Sequence, residues 1–75
     1  GFTPLFIACE NGHKEIVDIM IRNDRVDVNK QSSGFTPLFI ACYYGHKEIV
    51  NAMISNDRVD VNKAENDGVT PLYIA

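Results

Sequence analysis

The residues best suited to chemistry in this 75-residue chain come as a repeated pair, Cys9 with His13 and Cys42 with His46. Two thiols and two imidazoles form a donor set for tetrahedral zinc. Acid–base work by either histidine would need a nucleophile or acid partner at a recognisable spacing, and the sequence offers none. A second candidate is the oxygen-rich stretch Asp60-Val61-Asn62-Lys63-Ala64. A calcium loop of the EF-hand type would require a ligand oxygen where Ala64 stands and a glycine where Glu65 stands. Asp27 and Asp60 read better as loop-ordering residues, because Asp and Asn side chains bond nearby backbone. There is no glycine-rich phosphate loop and no Gly-x-Ser-x-Gly elbow.

What the Cys–His pairs can do depends on the elements that carry them, and those elements repeat. Residues 1–30 and 34–63 align without a gap at an offset of 33, identical at 25 of 30 positions. The five differences are Glu10/Tyr43, Asn11/Tyr44, Asp18/Asn51, Ile19/Ala52 and Arg22/Ser55. A third copy opens at 68–75, where Gly68-Val69-Thr70-Pro71-Leu72-Tyr73-Ile74-Ala75 follows Gly34 to Ala41. The chain divides into units 1–33 and 34–67 and the start of a third at 68–75. Gln31-Ser32-Ser33 corresponds to the four residues Ala64-Glu65-Asn66-Asp67, and length variation confined there marks a loop.

Within each unit, Thr3 and Thr36 precede Pro4 and Pro37. A residue before proline is pushed out of the α region, where a helix N-cap belongs, and proline fits the first turn. A first helix therefore starts at Pro4 and Pro37, and Gly12 and Gly45 end it about two turns later. A second helix is predicted from Lys14 to Arg22 and from Lys47 to Ser55. Ile16, Val17, Met20 and Ile21, repeated as Ile49, Val50, Met53 and Ile54, form its apolar face. Glu15 and Glu48 complement its dipole. The polar run with alternating valines that follows leads to a turn at Ser33-Gly34 or Asp67-Gly68, a short hairpin-like connection.

Thr-Pro-Leu-Phe-Ile-Ala-Cys, Gly-His-Lys-Glu-Ile-Val and Val-Asp-Val-Asn, in that order on a period of 33, resemble ankyrin repeats over the whole chain. Tetratricopeptide repeats have a similar period but two longer helices and no hairpin. The resemblance implies a mainly α fold: helix–loop–helix units with short β-hairpin fingers, stacked into a solenoid. It also implies a structural role for the histidines in the inter-helix turn. The family's usual His after Thr-Pro-Leu is replaced by Phe6, Phe39 and Tyr73, so aromatic packing is expected in place of a hydrogen-bond network at the two Phe sites. The family's Gly-Ala before Asp-Val-Asn is replaced by the longer Asp24-Arg25-Val26 and Asp57-Arg58-Val59.

The repeat also decides the zinc question. Equivalent positions in stacked units lie about one helix spacing apart, roughly 8–10 Å, whereas zinc ligands converge to about 2.0–2.3 Å from one ion. Bridged cysteines need Cα atoms within about 6.8 Å. No metal, no disulfide and no cofactor is expected, and both cysteines read as core thiols of a reducing, cytoplasmic compartment. Composition agrees with a binding module more than an enzyme. A chain this short buries only about 60% of its unfolded surface, too little for a separate core and cleft. Ten Asp/Glu against seven Lys/Arg, a net charge of −3, argues against nucleic acid. The longest apolar run, Leu38 to Tyr44, is far short of the roughly 20 residues of a membrane span. At 45% hydrophobic the chain is too apolar for disorder. The charges, including the stacked pairs Lys14/Lys47 and Arg25/Arg58, read as a solvated face.

The family commonly binds folded proteins on the concave face lined by first helices and fingers. Carried over by position, the contact residues are Phe2, Phe35 and Val69; Glu10, Asn11, Tyr43 and Tyr44; and Gln31, Ser32, Ser33, Glu65, Asn66 and Asp67, with Asn23 and Asn56 in addition. Phe35, Tyr43 and Tyr44 are the expected anchors, since aromatic residues dominate interface hot spots. The leading expectation is a non-catalytic module binding another protein. The alternative is a spacer within a longer array whose binding or catalytic site lies elsewhere. The family can also be hydroxylated at asparagine in a Leu-x5-Asp-Val-Asn pattern, which Asn29 and Asn62 match with Ile21 and Ile54 in place of Leu. Stable arrays need at least three units, so this chain is expected to be weakly folded alone or self-associating, with Leu5, Phe6, Leu72 and Ile74 as interface for neighbouring units.

Overall fold

The computed structural model describes residues 2–62, so the third copy and Glu65, Asn66, Asp67 and Val69 lie outside the described residues. Four helices occur in order: α1 Pro4–Asn11, α2 Lys14–Ile21, α3 Pro37–Tyr43 and α4 Lys47–Ile54. Thr3 and Thr36 hold extended backbone, and each hydroxyl accepts from the N–H three residues on, at Phe6 and Phe39, at 3.1 Å. Each thus satisfies an orphan donor of the first turn. Gly12 closes α1 in left-handed backbone at φ 77°, its N–H donating to the Ala8 carbonyl. α3 is capped one residue earlier, by Tyr44, and Gly45 follows at φ 71°. α2 and α4 start with no side-chain cap but carry Glu15 and Glu48 in the first turn.

The connection between the units turns at Ser33 and Gly34. Ser32 donates to the Phe35 carbonyl at 2.8 Å and Phe35 donates back at 3.0 Å. Both central residues have positive φ, 54° and 87°, the signature of a type I′ turn. The expected hairpin is this single bridged pair, and no strand extends from it among the described residues.

Like packs on like: α1 lies on α3 and α2 on α4, while each unit closes α1 on α2 and α3 on α4. Leu5, Cys9, Val17, Leu38, Ile49 and Met53 are buried at the centre. Leu5 and Phe6, expected to await neighbouring units, are buried here, on a helix that already packs against α2 and α3. The four-residue apolar faces of α2 and α4 divide unequally. Ile16 is 48% exposed while its equivalent Ile49 is 2% exposed; Ile21 is 4% exposed while its equivalent Ile54 is 44% exposed. On each face one residue is open, Ile16 on α2 and Ile54 on α4, while the other three are buried or packed against the core.

Polar groups lock the same junction. The Arg58 guanidinium donates to the carbonyls of Ile21 at 2.9 Å and Asn23 at 2.8 Å, and also to that of Val26. Asn56 Nδ2 donates to the Ile21 carbonyl as well, at 3.2 Å. The end of α2 thus gains a cation at the negative pole of its dipole and, at Ile21, partners for a carbonyl of its last turn. This corrects the reading of Arg58 as part of a solvated face. Arg25, its equivalent, is exposed, and its guanidinium has no partner among the described residues. Asn29 clasps the next loop at both ends of its amide, donating to the Arg58 carbonyl at 2.8 Å and accepting from the Asp60 N–H at 2.7 Å.

Candidate functional site

The Cys–His pairs do not meet. Cys9 is fully buried and its thiol donates to the Met53 thioether at 3.7 Å. Burial pushes this thiol up to about 12 and raises Cys42 as well, which keeps both protonated and poorly nucleophilic at neutral pH. His46 reaches across the junction instead. Its Nε2 lies 3.0 Å from the Glu10 carbonyl oxygen, donating to it in the Nε2–H tautomer. Its ring packs on Gly12 so closely that a Cβ there would lie 2.9 Å from Cε1. The histidine is a tie between units as much as a feature of its own turn. His13, its equivalent, is exposed.

The aromatic residues do converge. Phe35 stacks on Phe39 with ring centroids 5.1 Å apart, Phe39 on Tyr43 at 6.1 Å, and Tyr43 meets Tyr44 edge-on at 5.1 Å. His46 extends the row, 6.3 Å from Tyr44. Phe39 is buried beneath it, while Phe35, Tyr43 and Tyr44 are exposed. The local sequence explains the row. Phe35, Phe39 and Tyr43 recur at intervals of four, and residues four apart stack on a helical face. Phe35 itself precedes α3, but its N–H and carbonyl are both held by Ser32 in the turn. The ladder therefore starts from a fixed backbone, which lowers the entropy lost on binding. In the first unit Phe2 stacks on Phe6 at 5.2 Å, and Glu10 and Asn11 stand where the tyrosines would continue the row. Phe6 and Phe39 thus pack against aromatic rings, as the replacement of the usual histidine implied.

The other expected contact residues fall unevenly. Phe2, Asn11 and Ser33 are exposed, and Glu10 and Gln31 are half-buried. Ser32 is buried, and its hydroxyl accepts the Thr3 N–H at 3.2 Å, so it fastens the turn to the first unit rather than facing a partner. Asn23 is exposed, while Asn56 is half-buried in the junction. Sequence reading missed the junction role of Arg58, Asn56 and Asn29. A usable signal was present: Asn-Asp-Arg recurs unchanged at 23–25 and 56–58, directly after Arg22/Ser55 has changed.

Units of 33 residues, threonine–proline helix starts and like-on-like stacking define a repeat architecture, and the sequence profile describing ankyrin repeats (3 copies) matches residues 1–65. The chain belongs to the ankyrin-repeat family. Ankyrin repeats are generally protein–protein interaction modules without catalytic activity. No curated protein matches this chain significantly. No helix among the described residues is long and apolar enough to cross a membrane.

Proposed function

We propose that this ankyrin-repeat chain is a non-catalytic module that binds a partner protein through the aromatic ladder Phe35, Tyr43 and Tyr44. Ser33 and Gln31 flank the ladder on one side, and Glu10 and Asn11 lie at the corresponding end of the first unit. Units stacking in this way form a solenoid, and the Ser33-Gly34 turn is the tip of its finger. The carrying observation is the contiguity of the rings: three exposed aromatic side chains joined through buried Phe39. Large, stiff rings gain contact area at little entropy cost, which is the chemistry of an interface anchor.

Photo-crosslinking tests the surface. A benzophenone side chain at position 43 or 44, in the chain expressed in cells, gives a discrete adduct with a partner protein. The same group at Glu15, away from the ladder, gives none. Equal adducts at all three positions, or no adduct at 43 and 44, refute the assignment.

Asparagine hydroxylation, expected at Asn29 and Asn62, belongs to the same reading. Both amide atoms of Asn29 are occupied in the junction, whereas Asn62 is exposed. An ankyrin-directed asparaginyl hydroxylase therefore modifies Asn62 first. Peptide masses showing oxygen on Asn29 before Asn62 count against this order.

A further inference from the structure

We infer that the partner seats an arginine on this surface, its guanidinium held between the rings of Tyr43 and Tyr44 and the Glu10 carboxylate across the junction of the two units. The inference rests on the reading of the aromatic ladder as the partner-binding surface and adds the partner's chemistry. Tyr43 and Tyr44 meet at an interplanar angle of 79°, with centroids 5.1 Å apart, and are 61% and 52% exposed. They form an aromatic corner with electron-rich ring faces open to solvent. A cation over such a face is attracted by the ring quadrupole, and a planar guanidinium also stacks on it.

Packing supplies the acid. The Glu10 carbonyl lies 3.0 Å from Nε2 of His46, whose ring is 6.3 Å from that of Tyr44. One imidazole thus separates Glu10 from the corner. Because α1 packs on α3, the equivalent positions 10 and 43 stand one helix spacing apart, roughly 8–10 Å, a gap that one inserted side chain bridges. Charge selects that side chain. The Glu10 carboxylate has no ion pair among the described residues. Lys14, the cation nearest to it in sequence, is held by Asp18 at 2.8 Å. Among the ladder and its described flanking residues Glu10 carries the only charge, and Lys47 beyond His46 is followed at once by Glu48. An apolar occupant would desolvate the carboxylate without pairing it, and an acidic one would be repelled. Arginine meets both demands, with a fork for the carboxylate and a flat face for the rings. Identical units would set two carboxylates or two rings across the junction. The differences Glu10/Tyr43 and Asn11/Tyr44 set an acid beside rings, in a site that neither unit holds alone.

Nuclear magnetic resonance titration of the 75-residue chain with two capped tripeptides tests this. One carries arginine at its centre and the other citrulline, the uncharged planar isostere. The arginine peptide shifts the ring signals of Tyr43 and Tyr44 and binds about fivefold more tightly than the citrulline peptide. Glu10→Gln leaves the backbone carbonyl that His46 holds, and it removes most of that advantage. Equal binding of the two peptides, no shift at Tyr43 and Tyr44, or an advantage unchanged in Glu10→Gln overturns the inference. The ladder itself is judged separately. A crosslink at position 43 that persists while the two peptides bind alike retires the arginine and keeps the ladder, whereas no crosslink at 43 and 44 refutes the ladder.

Discussion

Gly12 and Gly45 hold the same place in their units and the same left-handed backbone, yet their surroundings differ. Substitution by alanine at either position incurs the left-handed penalty of about 1–2 kcal/mol. At Gly45 nothing lies within 4 Å of the added methyl, whereas at Gly12 it would meet the His46 ring, which the Glu10 carbonyl holds in place. Gly12→Ala is therefore the more destabilising of the two, and denaturant titration of both variants measures the gap. That the glycines end helices was legible in the sequence. That one of them seats a histidine from the next unit was not, because the contact spans 34 residues of chain. Cys9 gives a second test at this scale. Its pKa stands at about 12 in the folded chain against an ordinary 9.0. Below pH 9 the thiol is protonated whether folded or not, and its burial carries no pH dependence. Between about 9 and 12 only the unfolded chain ionises it, so stability falls as pH rises, by up to about 1.4 kcal/mol per unit. The loss of stability from pH 9 to 11 is smaller in Cys9→Ala than in the parent chain, as thermal melts at each pH show.

At the scale of elements, the starts of α1 and α3 were legible because threonine–proline is a local instruction, and the ends followed within a residue or so. The apolar faces of α2 and α4 were legible as faces, but not which residue each would leave open. Periodicity specifies a stripe; a neighbour decides how much of it is covered. The hairpin was legible as a turn, since Ser33-Gly34 adopts the positive φ values that such a connection requires, but pairing extends only to Ser32 and Phe35. The Arg58 clamp was read as surface charge for the same reason, since its acceptors are backbone carbonyls that carry no mark in a sequence. Arg58→Ala removes a charged donor from the Ile21 carbonyl at the end of α2 and from the Asn23 and Val26 carbonyls in the loop beyond it, and costs about 2 kcal/mol. Arg25→Ala, at the equivalent exposed site, stays within about 0.5 kcal/mol when the chain is held dilute enough to be monomeric. Paired urea titrations of the two variants check the asymmetry, and equal losses would refute the clamp.

Across the whole molecule, two nearly identical sequences acquire different environments because each has its neighbour on the opposite side. The junction they form takes the Cys9 thiol, His46 and Arg58 into structure, and Cys42 is buried within its own unit. What remains exposed, with a fixed backbone beneath it, is an aromatic ladder that the first unit lacks. Only Glu10/Tyr43 and Asn11/Tyr44 separate the two units at that surface, so the molecule contains its own control. The most direct measurement is the affinity of the partner crosslinked at position 43 for the chain carrying Tyr43→Glu and Tyr44→Asn, which restores the first unit's residues in the second. The account predicts unchanged helix content and at least about a tenfold loss of affinity, since anchor residues of this kind contribute more than about 1.4 kcal/mol. Unchanged affinity in a folded chain would contradict it.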